Sequence, residues 1–304
     1  MKHFFTTIIL TIIACAGIRA HAQQTDTLFP YPTAPEDLPT LTEKCNYLVY
    51  NFWDRCNIKQ SFSSLAKLNN AFGTWAAFMP YATADTVHLA IDNYIKRVEK
   101  ESPKSILEVG KMAQNWFYCD TAQFYSEEIY LPFCHAVASN KKIDKADRAR
   151  YAAQEKIIES SGEGKIVPDF PFTHPDGTAD NFANHRASRI ILFFNDPDCF
   201  DCTLAKARLS ADYNTQQLIN AGLLKVVSIY PDSPSAEWKE AASGYPSEWI
   251  VGAWPNADEY FNLDEMPTIY WLDGRHKVIG KNIDIDRLLF LVQQIHLQQQ
   301  QQIQ

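Results

Sequence analysis

The sequence has no basic block. Its 304 residues carry 36 Asp and Glu against 28 Lys and Arg, a formal net charge of −8. No cluster of cations offsets that balance, which argues against a nucleic-acid or anionic-membrane partner. Cysteine is sparse, with seven in all, too few for a small fold stapled by disulfides. Only one pair is spaced Cys-x-x-Cys. No second pair follows and no nearby histidine has ligand spacing, so a zinc site would lack half its donors and no metal or other cofactor is implied. No internal repeat is visible. Beyond the first residues, no segment holds the roughly 20 apolar residues that a membrane span needs. What remains is a globular composition, 46% hydrophobic and 21% charged, with chain enough for two domains of about 150 residues each.

The first residues read as an export address. Lys2 supplies the positive start, Phe4 to Ile18 the apolar stretch, and Ala20-His21-Ala22 a small-x-small cleavage site before Gln23. Residues 1–22 are therefore expected to be a signal peptide and the mature protein periplasmic. Ile12-Ile13-Ala14-Cys15 also resembles a bacterial lipobox, so a lipid anchor on Cys15 is the alternative, and only that route ties the protein to a membrane. A buried N-terminal helix is the third reading of the same stretch.

A Pro-rich lead, 23–37, reads as extended linker. From Thr40 the rhythm turns helical. Thr40 and Glu43 fit a capping box, and Leu41, Cys45, Leu48, Phe52 and Cys56 follow at intervals of three and four. Further helices are expected over 85–101, 103–118, 126–139 and 144–160. Residues 38–160 are thus expected to form an all-α domain with an aromatic core, and 160–165 a linker. The pattern then changes. Ile190-Ile191-Leu192-Phe193-Phe194 and Leu224 to Tyr230 read as strands buried on both faces. A helix is expected from Cys202 to about Ala221, a short one over 236–243, and a hairpin from Thr268 to Leu272 and Lys277 to Ile279. Asp284 starts a last helix to about His296, and 297–304 is a frayed Gln-rich tail. Strand, helix, strand, helix, hairpin and helix predict an α/β sandwich over 163–296.

Cys199-Phe200-Asp201-Cys202 lies where a buried strand runs into a helix. A thiolate at a helix N-terminus is stabilised by free N–H groups and the helix dipole. Spacing of three on a helical turn brings the second sulfur within reach of a mixed disulfide. Redox work and a purely structural disulfide both fit the pair.

Three features together resemble the thioredoxin superfamily, and within it the exported thiol–disulfide oxidoreductases of the TlpA and ResA type. They are Val167-Pro168-Asp169-Phe170 with Asp176-Gly177, the apolar strand leading into Cys199-Phe200-Asp201-Cys202, and Met266-Pro267-Thr268 before a hairpin strand. The 68 positions from Cys199 to Pro267 suit this group's inserted strand and helix. The resemblance implies a thioredoxin-like sandwich behind an all-α domain similar to those preceding such domains in exported proteins of Bacteroidetes-like bacteria. It implies Cys199 as attacking thiol, Cys202 as resolving thiol, Pro267 as a cis-proline, and Met266 backbone as the partner of an extended substrate segment. Substrate protein thiols or disulfides and an unidentified electron donor would be the partners.

The departures from that pattern are specific. Asp198 replaces the Trp usual before the first cysteine, and Phe193 and Ala205 stand where the group carries its buried acids. Asp196, Asp198 and Asp201 instead place negative charge around the sulfurs, so Asp198 and Asp201 are candidate redox-tuning residues that would disfavour the thiolate and lean the pair toward reductase or isomerase work. A peroxidase would need an Arg and Thr pattern that does not precede Cys199. Cys45 and Cys56, about 16 Å apart along one helix, cannot bridge each other, whereas Cys119 and Cys134 could pair. Two function classes fit: a thiol–disulfide oxidoreductase, and a non-catalytic binding or assembly module on a thioredoxin-like scaffold.

Overall fold

The computed structural model describes residues 27–119 and 121–303, so the expected signal peptide and Cys15 lie outside the described residues. The chain divides between Glu155 and Lys156 into two compact units.

The first unit is helical. Its helices are α1 (Leu41–Asn51), α2 (Ile58–Ser61), α3 (Leu65–Phe78), α4 (Ala84–Glu99), α5 (Pro103–Phe117), α6 (Glu127–Ser139) and α7 (Lys145–Ser161), whose last turn belongs to the second unit. The capping box is present: Glu43 N–H donates to Thr40 Oγ1 at 3.1 Å and Thr40 N–H to Glu43 Oε2 at 3.0 Å. Helix α1 stops at Asn51, so Cys56 lies beyond it and the helical spacing to Cys45 does not apply. Helix α3 is absent from the sequence reading and lies at the centre of the core, burying Leu68, Phe72 and Trp75. Trp75 Nε1 donates to the Val49 carbonyl at 2.9 Å. The Pro-rich lead is more than a linker. Phe29 is buried, its ring 5.7 Å from Phe52 and 5.5 Å from Trp53, because leaving so large an apolar side chain in water costs about 1.5–3 kcal/mol.

The second unit is one seven-stranded sheet in the order β2-β1-β5-β4-β3-β6-β7. The strands are β1 (Pro171–Thr173), β2 (Ala179–Asn181), β3 (Arg189–Phe194), β4 (Leu224–Tyr230), β5 (Ile250–Ala253), β6 (Thr268–Asp273) and β7 (Val278–Gly280). Strands β3, β4 and β5 run parallel, and β6 is antiparallel to β3 with Phe194 opposite Thr268. Alternation along β3 feeds two cores. Ile190, Leu192 and Phe194 join Phe170, Phe182, Trp254 and Phe261 on one face. Ile191 and Phe193 join Ala205, Leu209, Leu218 and Leu288 on the other. A fully apolar strand is what two covered faces require.

Helices α8 (Phe200–Ala211), α9 (Tyr213–Asn220), α10 (Ala236–Ala242) and α11 (Ile285–Ile303) complete the unit. The single helix expected from Cys202 to Ala221 is two, because Asp212 caps a new start: its carboxylate accepts from Thr215 N–H at 2.7 Å. Helix α11 continues through the Gln-rich stretch as far as Ile303. Gln has good helix propensity and no packing is needed to continue a formed helix.

Candidate functional site

Strand β3 ends at Phe194, and residues 195–198 turn the chain into α8. Asp196 shapes that turn, accepting Asp198 N–H on its carboxylate at 2.8 Å and Cys199 N–H on its carbonyl at 3.2 Å. Cys199 is the N-cap residue of α8, and Cys202 N–H points at Cys199 Sγ from 3.1 Å. Cys199 and Cys202 are joined as a disulfide, their Cα atoms 5.2 Å apart. Their environments differ. Cys199 is half-buried, whereas Cys202 is 2% exposed on the inner face of the helix. An attacking species can reach only the first sulfur.

The pairing of Phe194 with Thr268 sets the loop before β6 beside this turn. The Met266–Pro267 peptide is cis, and the Met266 carbonyl oxygen lies 3.6 Å from Cys199 Sγ. The structure thus brings Cys199, Cys202, Met266 and Pro267 together. Asp198 precedes the pair and Asp201 lies between its two cysteines, but both are exposed, and water and salt screen exposed charges strongly.

Phe193 and Ala205 are buried apolar contacts of the sheet. A nearby buried polar residue is one that the sequence pattern does not single out. Asn195, buried at the end of β3, donates to the Phe193 carbonyl at 3.1 Å and to Ser228 Oγ at 2.7 Å, while its Oδ1 accepts from the Tyr245 hydroxyl. Lys206, one turn after Cys202, sits 4.3 Å above the Tyr245 ring. Burial pushes the Tyr245 phenol up. The signal for this network was a lone Asn closing an apolar run and a lone Ser inside the β4 run.

The remaining described cysteines are free. Cys119 and Cys134 are not joined: Cys134 donates to the Tyr151 carbonyl at 3.0 Å and Cys119 to that of Asn115 at 3.2 Å. Burial pushes the Cys134 thiol up to about 12 and that of Cys56 up to about 11, so neither forms a thiolate near neutrality.

Parallel β3–β4–β5, an antiparallel β6–β7 hairpin, a helix capped by the first of two cysteines and a cis-proline loop beside it make the second unit thioredoxin-like in fold. A thioredoxin-like protein from Bacteroides caccae is similar over 88% of this chain and 99% of its own, at 22% identity and a TM-score of 0.70. A conserved protein of unknown function from Bacteroides fragilis is 31% identical over 43% of this chain and 99% of its own, with a TM-score of 0.41. A thiol:disulfide interchange protein from Bacteroides sp. is 18% identical over 44% of this chain and 90% of its own, with a TM-score of 0.39. Residues 16–161 match a family described as a domain of unknown function, DUF5106. No curated protein matches the chain.

Proposed function

We propose that the protein is an extracytoplasmic thiol–disulfide oxidoreductase working through Cys199 and Cys202. The observation that carries the reading is the half-buried Cys199 sulfur at the N-cap of α8, 3.6 Å from the Met266 carbonyl. In the reduced protein the Cys202 N–H and the helix dipole favour the Cys199 thiolate. That thiolate attacks a substrate disulfide, forming a Cys199–substrate bond and expelling one substrate thiolate. Cys202 gives its proton to solvent and attacks Cys199 Sγ, closing the internal disulfide and releasing the second thiolate. The substrate gains two electrons, the pair loses two, and an external dithiol donor restores it. Met266 and Pro267 would hold the substrate segment. Because Asp198 and Asp201 are exposed, their pull toward a reducing couple is small beside the helix terminus.

Export rests on residues 1–22. The second reading, a binding or assembly module, is favoured by one observation: Phe193 and Ala205 leave no carboxylate at the two positions expected to deprotonate the resolving thiol. Trapping separates the two. Cys202→Ser is expected to accumulate mixed disulfides on non-reducing gels, and Cys199→Ser to accumulate few, because its surviving thiol is buried. Equal trapping by both variants, or none, would exclude the assigned roles.

A further inference from the structure

The rim of this site is apolar at its centre and of one sign around it. Phe200, between the two cysteines, is 79% exposed, and Leu204 one turn along the same face of α8 is 48% exposed. Side chains of that size left in water beside a reactive sulfur mark a contact surface. Carboxylates lie on three segments beside the site, in loops and in the first turns of α8 and α10. Asp198 and Asp201 bracket Phe200, Asp232 and Glu237 follow β4, and Asp264 and Glu265 precede the cis-proline. All six are exposed, and among the described residues none forms an ion pair. No Lys or Arg occurs in 195–205, 230–238 or 259–268. Lys206, next along α8, lies over the Tyr245 ring, and Arg208 pairs with Asp286. Three of the six act on one space together with Asp196: Tyr230 is pushed up first by burial and then by Asp196, Asp232, Asp198 and Glu237. Asp264 and Glu265 directly precede Met266, whose carbonyl lies 3.6 Å from Cys199 Sγ.

We propose that the dithiol selects disulfides held in basic, partly apolar segments of protein chain, with an apolar side chain on Phe200 and Leu204 and flanking Lys or Arg facing the acidic rim. The inference rests on the exchange reading above and names its substrate class. Unpaired carboxylates of one sign raise the local concentration of cationic segments and repel anionic ones. The apolar pair adds affinity that does not depend on charge. Cations on the substrate also lower the pKa of the substrate thiol that leaves, which speeds the exchange step itself.

The test uses the full-length mature protein with dithiothreitol as the external donor and two self-quenched disulfide dimers of one short peptide. One peptide carries Lys on both sides of its cysteine, the other Glu. At about 0.02 M salt the Lys dimer is expected to show a kcat/KM about tenfold or more above the Glu dimer, and at about 0.3 M salt the two converge. Asp198→Asn with Asp201→Asn is expected to shrink the low-salt ratio to about threefold. Phe200→Ser is expected to raise KM for both dimers alike. Equal kcat/KM for the two dimers at low salt, or a preference untouched by salt and by the Asn pair, overturns the inference while leaving exchange intact. Turnover of neither dimer sinks both.

Discussion

Asn195 does with one amide what a longer network does elsewhere: it ties the end of β3 to β4 and to Tyr245. Its two donated bonds are buried and the one it accepts from Tyr245 is partly so. Asn195→Leu would keep the volume and remove all three bonds at once, taking the amide partner from buried Ser228 and half-buried Tyr245. Each such orphan costs about 1–3 kcal/mol, so urea unfolding of the variant is expected to show a loss of at least about 2 kcal/mol, and Tyr245→Phe a smaller one. An unchanged midpoint for Asn195→Leu would show that solvent replaces those bonds. The sequence signal for this Asn was weak, because Asn at a strand end is ordinary turn chemistry. The cysteine pair was legible because its spacing carries its chemistry. A buried amide carries none until its partners, 33 and 50 residues away, are in place.

At the scale of elements, the β1–β2 hairpin holds a small acid-sensitive joint. Asp180 on β2 accepts from Asn184 and from its neighbour's N–H, and from His174 at 3.2 Å and His185 at 2.9 Å. Those bonds hold the Asp180 carboxyl well below the usual carboxylate range. Burial pushes His185 down, outweighing the pull of Asp180. A histidine with a depressed folded pKa favours folding while neutral, so its contribution is intact above its ordinary value near 6.5 and is lost as pH falls below it. The Asp180 contribution, by contrast, persists until well under pH 4. The thermal midpoint is therefore expected to fall between pH 7 and pH 5, and His185→Gln to flatten that slope; a midpoint that rises on acidification would refute the assignment. Most elements of the second unit were readable, since β3 and β4 are predominantly apolar runs. Helix α3 was not, because Asn69, Asn70 and Gly73 inside Leu65–Phe78 lower its helix propensity. Tertiary contact overrides that weakness: a side chain at Gly73 would overlap the Trp116 ring, so the glycine is there for close approach.

For the whole molecule, the boundary between units falls earlier than the Gly-rich stretch at 160–165 suggests. Ser161 is fully buried and its hydroxyl lies 3.4 Å from that of Tyr270 on β6, while Lys156 contacts Glu259 and the Tyr260 ring. The last turn of α7 is thus part of the thioredoxin-like unit. A fragment beginning at Lys156 is expected to be about 1–2 kcal/mol more stable to urea than one beginning at Glu163; equal stabilities would return the boundary to the glycines. The buried thiols of the first unit have a further consequence. Cys45, Cys56 and Cys134 are sealed in its core and inert while it stays folded. Heat that opens this core releases three thiols in a chain that also carries the Cys199–Cys202 disulfide. Scrambling then competes with refolding, and the protein's endurance becomes a matter of rate more than of equilibrium. Thermal unfolding above pH 8 is expected to be irreversible for the native sequence and to recover its reversibility in the Cys199→Ser/Cys202→Ser double variant, so the packing of the first unit guards the chain against its own thiols.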